Sequence, residues 1–221
     1  MKVIAIIPAY NEEKTLAEVI CKTRSFVDEL VVINDGSDDR TLEIAQSQGV
    51  KVVSHVINRG LGAALGTGFV AAQELGADLA ITLDADGQHN PSEICRFVQA
   101  ATDGAEVIIG SRMLNHSGMP WHRVLANQLG NLITFALFGQ WVTDSQSGFR
   151  GFNRLALSKI QIKTNRMEVS SEIIAEAKRQ KLLIKEVPIT AIYTDYSLSK
   201  GQGFIVGLKT LAKLVMRRIT G

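Results

Sequence analysis

Cysteine is scarce in this sequence, which has only Cys21 and Cys95 among its 221 residues. Both lie in segments with helical patterns, and neither belongs to a Cys/His group with the spacing of a metal site. Two isolated thiols are typical of a reducing compartment. The amino terminus also lacks the long apolar core and the cleavage pattern of a signal peptide. These absences predict a cytoplasmic protein.

The chain also lacks a strong charge imbalance. Its 24 Lys and Arg residues and 22 Asp and Glu residues give a net charge of +2, which argues against a nucleic-acid partner. No Ser/His/Asp or Cys/His catalytic set is visible, which argues against acyl transfer. The charge is uneven only at the end, where five basic residues and no acidic ones follow residue 199.

No charged residue occurs in residues 124–143. On length alone this stretch could span a bilayer. Its amides, among them Asn127, Asn131 and Gln140, would be costly in the membrane interior. We therefore expect a buried or interfacial helix.

Short apolar runs alternate with helical patterns through the first half of the chain. This alternation is typical of an α/β protein with a doubly wound, mostly parallel sheet and flanking helices. The strands are predicted at residues 3–7, 30–34, 50–56, 77–82 and 105–110. Further on we predict helices at 124–143 and 169–180, strand-like sequence at 182–192, and an amphipathic, basic helix from about residue 202 to 219. That last helix could dock on its own domain or lie in a membrane interface.

Two carboxylates, Asp84 and Asp86, follow the fourth predicted strand, where open α/β sheets place their ligands. In a near-extended segment they face the same way, and their charges repel. A divalent cation would remove that conflict, with Gln88 offering another oxygen and small Ala85 leaving room. All-oxygen ligands suit Mg²⁺ or Mn²⁺. The alternative is a solvated loop with two capping acids.

The ends of the first two strands form a candidate nucleoside site. Pro8, Tyr10 and Glu12 follow the first strand, and Asp35 ends the second. An aromatic ring can stack on a base, and a carboxylate can accept hydrogen bonds from a base or ribose. A simpler interpretation is that Glu12 only begins a helix.

Glycines at positions 60 and 62 open the third predicted helix, after Asn58. A dinucleotide fingerprint would lie in the first strand–helix turn, so this pattern does not indicate a dehydrogenase. We interpret Gly62 as a position where the backbone packs closely near a bound nucleotide. Together, Arg112, Arg123 and Lys200 could bind phosphate, although each alone is more commonly an ordinary surface charge.

Several motifs occur in a characteristic order: Pro8-Ala9-Tyr10-Asn11-Glu12, Asn34-Asp35-Gly36-Ser37-Asp38-Asp39, Asn58-x-Gly60-x-Gly62, Asp84-Ala85-Asp86-Gly87-Gln88-His89, Gly110-Ser111-Arg112 and Asp144-Ser145-Gln146-Ser147-Gly148-Phe149-Arg150. The series resembles family 2 glycosyltransferases of the GT-A fold. Within that family it is similar to the dolichyl-phosphate (polyprenyl-phosphate) mannosyl- and glucosyltransferases. The resemblance covers residues 3–151 well.

The resemblance implies metal-dependent, inverting transfer of a hexose from a nucleotide sugar, with GDP-mannose favoured, to polyprenyl or dolichyl phosphate. It implies catalytic roles for Asp86 and Arg112 and a metal on Asp84, Asp86 and Gln88. The nucleotide-sugar site would comprise Pro8, Tyr10, Glu12, Asp35, Asn58, Gly62, Asp84, Ala85 and Asp86. The acceptor phosphate would meet Arg112, Arg123 and Lys200, near Asp144, Ser147 and Arg150.

We expect a catalytic domain at residues 1–200, followed by the basic helix at 201–221. Membrane contact, peripheral on the cytoplasmic face, would fall to the uncharged helix, the basic helix or an anchoring partner protein. UDP-glucose or UDP-N-acetylglucosamine are alternative donors. A saccharide hydroxyl is an alternative acceptor, with Asp144 or Glu168 as base. A non-catalytic nucleotide-binding or receiver-like module is the alternative from another class.

Overall fold

A computed structural model describes residues 1–115, 121–190 and 192, with the side chains of residues 121–123 excepted. Some predictions fall outside the described residues. They are the amphipathic helix at 202–219, the domain boundary after residue 200, Lys200 and the side chain of Arg123.

The centre of the fold is a seven-stranded sheet in the order β3-β2-β1-β4-β6-β5-β7. The strands are Val3–Ala9 (β1), Glu29–Asn34 (β2), Lys51–Ser54 (β3), Leu79–Thr82 (β4), Val107–Ser111 (β5), Arg150–Asn153 (β6) and Ile184–Pro188 (β7). β6 is antiparallel to β4 and β5, whereas the other pairs are parallel. The predicted α/β class with a mostly parallel sheet is confirmed.

Seven α-helices flank the sheet in the described part of the chain. They are Leu16–Thr23 (α1), Thr41–Ser47 (α2), Leu61–Glu74 (α3), Ile94–Thr102 (α4), Trp121–Phe138 (α5), Arg154–Lys159 (α6) and Val169–Arg179 (α7). Alternate strand residues point to opposite faces, so Ile4 and Ile6 pack with α3 and α7 while Ala5 and Ile7 pack with α1 and α4. The central strands β1, β4 and β5 are buried and largely apolar because both faces of the sheet are covered there.

Some predicted boundaries differ from the structure. The third strand was predicted at 50–56 but covers only Lys51–Ser54. It lies at the sheet edge, and Val56 and Ile57 beyond it are exposed. The uncharged helix ends at Phe138, because Gly139 adopts a φ of 67° that breaks the helical path. No helix of the described residues is long and apolar enough to cross a membrane.

Candidate active site

The chain reverses direction in β6, and this brings a second set of motif residues to the site. Thr82, at the end of β4, pairs with Arg150, at the start of β6. The loop before β6, residues 143–149, therefore lies at the end of the sheet where β1, β2, β4 and β5 have their carboxyl ends. Thr82 also donates from its hydroxyl to the carbonyl of Gly148 at 2.7 Å.

Asp84 follows β4 and is held from two sides. His89 donates from Nε2 to Oδ2 of Asp84 at 3.0 Å. On the other side, a Cβ on Gly148 would overlap the carboxylate. Desolvation alone would raise the pKa of Asp84, but the hydrogen bond from His89 and the charges of Arg112 and Arg150 outweigh it and lower the pKa. Asp84 is therefore a carboxylate at neutral pH, and its side chain is 40% exposed.

The pKa of Asp86 is shifted in the opposite direction from that of Asp84. Desolvation and then the negative charge of Asp84 raise its pKa. Gln88 donates to Asp86 twice, from its backbone N–H at 3.0 Å and from its side-chain amide. Gln88 was predicted as a metal ligand, and in this arrangement its amide orients Asp86.

The two carboxylates fit a divalent cation. The negative charge of Asp84 disfavours ionisation of Asp86, and a bound cation would relieve that repulsion. Among residues 1–115, 121–190 and 192, no group of three or more His, Cys, Asp or Glu side chains could hold a metal. Asp84 and Asp86 would therefore need further oxygen ligands from a diphosphate or water, which is typical of Mg²⁺ sites.

The predicted nucleoside residues lie on loops that are joined. The backbone N–H of Asn11 donates to the hydroxyl of Ser37 at 3.1 Å, and Asn11 Oδ1 accepts from the N–H of Asp38 at 2.9 Å. These bonds connect the ends of β1 and β2. Tyr10 is 42% exposed beside them, which leaves its ring accessible to a base. Pro8 lies deeper, where it lines a cavity of about 20 Å³ together with Asp84 and Arg150.

Asp35 is buried and organises the turn after β3. It accepts from the backbone N–H groups of Arg59 at 2.9 Å and Gly60 at 2.7 Å. His55 donates from Nδ1 to the same carboxylate at 2.6 Å, and its Nε2 lies 2.9 Å from the hydroxyl of Thr67. His55 was not among the predicted site residues, although its position one residue after β3 was a usable signal. Asp35 thus shapes the loop that carries Asn58.

The glycines that open α3 pack against protein backbone. A Cβ on Gly60 would overlap the carbonyl of Asn165, and one on Gly62 would overlap that of Thr164. The N–H of Gly62 donates to the carbonyl of Asn165 at 2.9 Å. The close packing predicted for Gly62 is present, but its partner is the segment at 164–165.

Arg112 follows β5 and forms a two-pronged ion pair with Asp144. Its Nε and Nη2 donate to the carboxylate at 2.7 and 2.8 Å, and its backbone N–H donates at 3.0 Å. Asn127 adds a fourth donor at 3.2 Å. Asp144 is fully buried, whereas the side chain of Arg112 is 21% exposed. This arrangement fixes one guanidinium at the rim of the site.

Arg150 was expected near the acceptor phosphate, but the structure buries it. Its guanidinium donates to the backbone carbonyls of Ser145, Ser147 and Ser170 at 2.7 to 2.9 Å. Burial lowers its pKa to about 10, so it remains charged at neutral pH. Arg150 shapes the loop at 143–149 from inside, and a direct phosphate contact does not fit its 2% exposure.

Known proteins resemble this chain along most of its length. Glycosyl transferase family 2 matches residues 4–161. An uncharacterised protein of Methanocaldococcus jannaschii is 44% identical, over 99% of this chain and 93% of that protein. A UDP-N-acetylglucosamine–dolichyl-phosphate N-acetylglucosaminyltransferase of Methanococcus voltae is 38% identical, over 97% and 95%. An undecaprenyl-phosphate mannosyltransferase of Micrococcus luteus is 32% identical, over 94% and 90%.

Solved structures agree on the fold. Glucosyl-3-phosphoglycerate synthase from Mycobacterium tuberculosis superposes with a TM-score of 0.75 at 22% identity, over 98% of this chain and 79% of that one. The sequence resemblance and the α/β architecture are both confirmed. This chain belongs to glycosyl transferase family 2 and has the GT-A fold.

Proposed function

We propose that this glycosyltransferase moves a sugar from a nucleotide sugar to the phosphate of a polyprenyl or dolichyl phosphate. One observation carries the proposal: two carboxylates and a fixed guanidinium lie together at the carboxyl ends of β4 and β5. Asp84 and Asp86 suit a metal-bound diphosphate, and Arg112 suits a second phosphate. Arg112 is close enough to lower the pKa of Asp84. Relatives that act on lipid phosphates support this assignment.

Asp84 and Asp86 would hold Mg²⁺ or Mn²⁺. When bound, such an ion neutralises the charge that develops on the departing nucleotide. A structure with the same fold, that of glucosyl-3-phosphoglycerate synthase from Mycobacterium tuberculosis, contains Mn²⁺. Gln88 and His89 would keep the two carboxylates in position from outside the metal.

Arg112 would orient the incoming phosphate for attack on the sugar. A phosphomonoester with a second pKa of about 6 is already largely ionised at neutral pH, so no strong base is needed. Asp144 is buried and accepts several donors, which disfavours it as that base. Direct attack by the phosphate on the face opposite the leaving group inverts the anomeric carbon.

The donor site would comprise Pro8, Tyr10, Glu12, Asp35, Asn58 and Gly62, with Ala85 between the two metal carboxylates. GDP-mannose was favoured from the sequence. The relative that is 38% identical is named for UDP-N-acetylglucosamine, whereas the mannosyltransferase is 32% identical. We therefore propose UDP-N-acetylglucosamine as the first donor to test, ahead of GDP-mannose.

A membrane surface is the proposed location of the acceptor. Helix α5 exposes half or more of Leu125, Leu129 and Leu132, and Trp141 beyond it is 54% exposed. An exposed apolar face on a helix that carries no charge after Arg123 suits the boundary between lipid headgroups and acyl chains. Basic residues in the segment after residue 200 would add attraction to anionic lipids. The enzyme would then bind peripherally, alone or with an anchoring partner protein.

The decisive experiment is a donor panel with Mg²⁺ or Mn²⁺ and a polyprenyl phosphate. We expect an acid-labile glycolipid that fails to form with EDTA present. The Asp86→Ala variant should lose at least about 100-fold in turnover, since it removes one of two metal carboxylates. Arg154→Ala, at the opposite end of β6, is the matched control and should retain activity.

Two other functions would give different results in the same assay. Transfer to a saccharide alone would favour a hydroxyl acceptor, with Glu168 then the candidate base. Unchanged nucleotide-sugar binding in Asp86→Ala, with no transfer by any form of the protein, would favour a non-catalytic binding module.

A further inference from the structure

Helix α5 buries two polar side chains on its inner side and exposes leucines on its outer side, the reverse of what an ordinary surface helix does. Asn131 and Thr134 are 3% and 1% exposed, whereas Leu129 and Leu132 are 50% and 54% exposed. Surface helices of soluble proteins normally bury the leucines and expose the amides. The outward face was assigned above to a membrane surface. The inward amides have partners of their own.

Those partners are consecutive residues of the loop before β6. Asn127 donates from Nδ2 to Oδ1 of Asp144 at 3.2 Å. One turn later, Asn131 accepts from the N–H of Ser145 at 2.8 Å and donates to the carbonyl of Thr143. The two amides therefore hold the loop on both sides of Asp144 and contact Asp144 itself.

Asp144 in turn determines the position of Arg112. Its carboxylate accepts Nε and Nη2 of that guanidinium, so rotation of the carboxylate would rotate the guanidinium with it. Oδ1 is the atom that Asn127 and Nη2 share. Loss of the amide would remove the donor that fixes Oδ1 from the side of the helix. A buried carboxylate depends strongly on such donors.

We propose that Asn127 is a positioning residue for the acceptor phosphate, acting through Asp144 on the guanidinium of Arg112. The inference rests on the proposed function, in which Arg112 binds that phosphate. In this proposal Asn127 acts through Asp144 and not by contact with the phosphate. One helix would then carry both the membrane face and the group that orients the phosphate-binding arginine.

The test is steady-state kinetics of the full chain with a short-chain polyprenyl phosphate in detergent solution. Asn127→Ala should raise the KM for the acceptor about tenfold, the loss expected for one hydrogen bond to a charged group. The KM for the nucleotide sugar should stay unchanged. Asn127→Asp keeps the shape but places a second carboxylate against Asp144, so its effect should be at least as large.

Thr134→Val is the matched control. Thr134 lies on the same inward face but bonds to Ser171 of α7 at 3.1 Å, away from Asp144. A purely structural role for the inward face predicts equal effects for Thr134→Val and Asn127→Ala, and that result would overturn the inference. So would an unchanged acceptor KM in both Asn127 variants. Absence of lipid transfer by the wild type would instead reject the proposed function, and this inference with it.

Discussion

Gly148 lies against the carboxylate of Asp84 so closely that a Cβ at position 148 would overlap its oxygens. The lack of space for a side chain requires a glycine here. Backbone conformation does not, because the φ of Gly148 is outside the left-handed region. The loop at 143–149 and the metal candidate are therefore in direct contact, although they are about 60 residues apart in the sequence. Any side chain at position 148 must move Asp84.

Gly148→Ala should therefore damage the metal site more than the fold. We expect the Mn²⁺ concentration for half-maximal activity to rise about tenfold or more, because Asp84 must leave its hydrogen bond with His89. Metal titration of activity, with thermal unfolding alongside, measures both effects. Gly66→Ala is the control, because a Cβ there meets nothing within 4 Å. Equal metal requirements in the two variants would contradict the prediction.

His55→Ala should weaken nucleotide binding. The change removes the side-chain donor to Asp35 and loosens the turn that carries Asn58. We expect the Kd for the donor nucleotide to rise about tenfold, measured by calorimetry. Thr67→Val removes only the partner on the far side of the imidazole and should have a smaller effect. Wild-type affinity in His55→Ala would show that the turn is held without it.

Arg150→Met should destabilise the protein, because all the contacts of this side chain named above are buried. Three buried backbone carbonyls lose their charged donor, so we expect a loss of about 3 kcal/mol or more in the free energy of unfolding. Urea denaturation measures it. Arg154→Met is the matched control, since its ion pair with Asp78 is largely exposed and should contribute little to stability. Comparable losses in both variants would refute the assignment.

The double variant Leu129→Asp with Leu132→Asp should reduce binding to vesicles of phosphatidylcholine, a zwitterionic lipid with no net charge. Both leucines are half exposed on α5, and burial of each in lipid is worth about 1.5 kcal/mol or more. We expect at least about a tenfold drop in sedimentation with vesicles at high salt, which screens the basic carboxyl-terminal segment. Leu155→Asp, on α6 at the amino ends of the parallel strands, is the control. Unchanged sedimentation of the double variant would exclude α5 as the membrane face.

Local sequence patterns predicted most of the sheet, because buried parallel strands are continuous apolar runs bounded by turn residues. They also located Asp84, Asp86 and Arg112 at strand ends. The reversal of β6 was not predicted, since its direction depends on pairing with β4 and β5, which are distant in sequence. The burial of Arg150 follows from that reversal. Likewise, the inward amides of α5 could not be assigned partners before the loop at 143–149 had a position.

The antiparallel β6 has a consequence for insertions and deletions. Its register fixes Arg150 opposite Thr82, and Gly148 lies two residues before it. A single residue added between 144 and 149 would have to bulge out of a loop whose carbonyls are bound to Arg150 from inside. Loop grafting to change the donor should therefore keep the spacing from Asp144 to Arg150 constant.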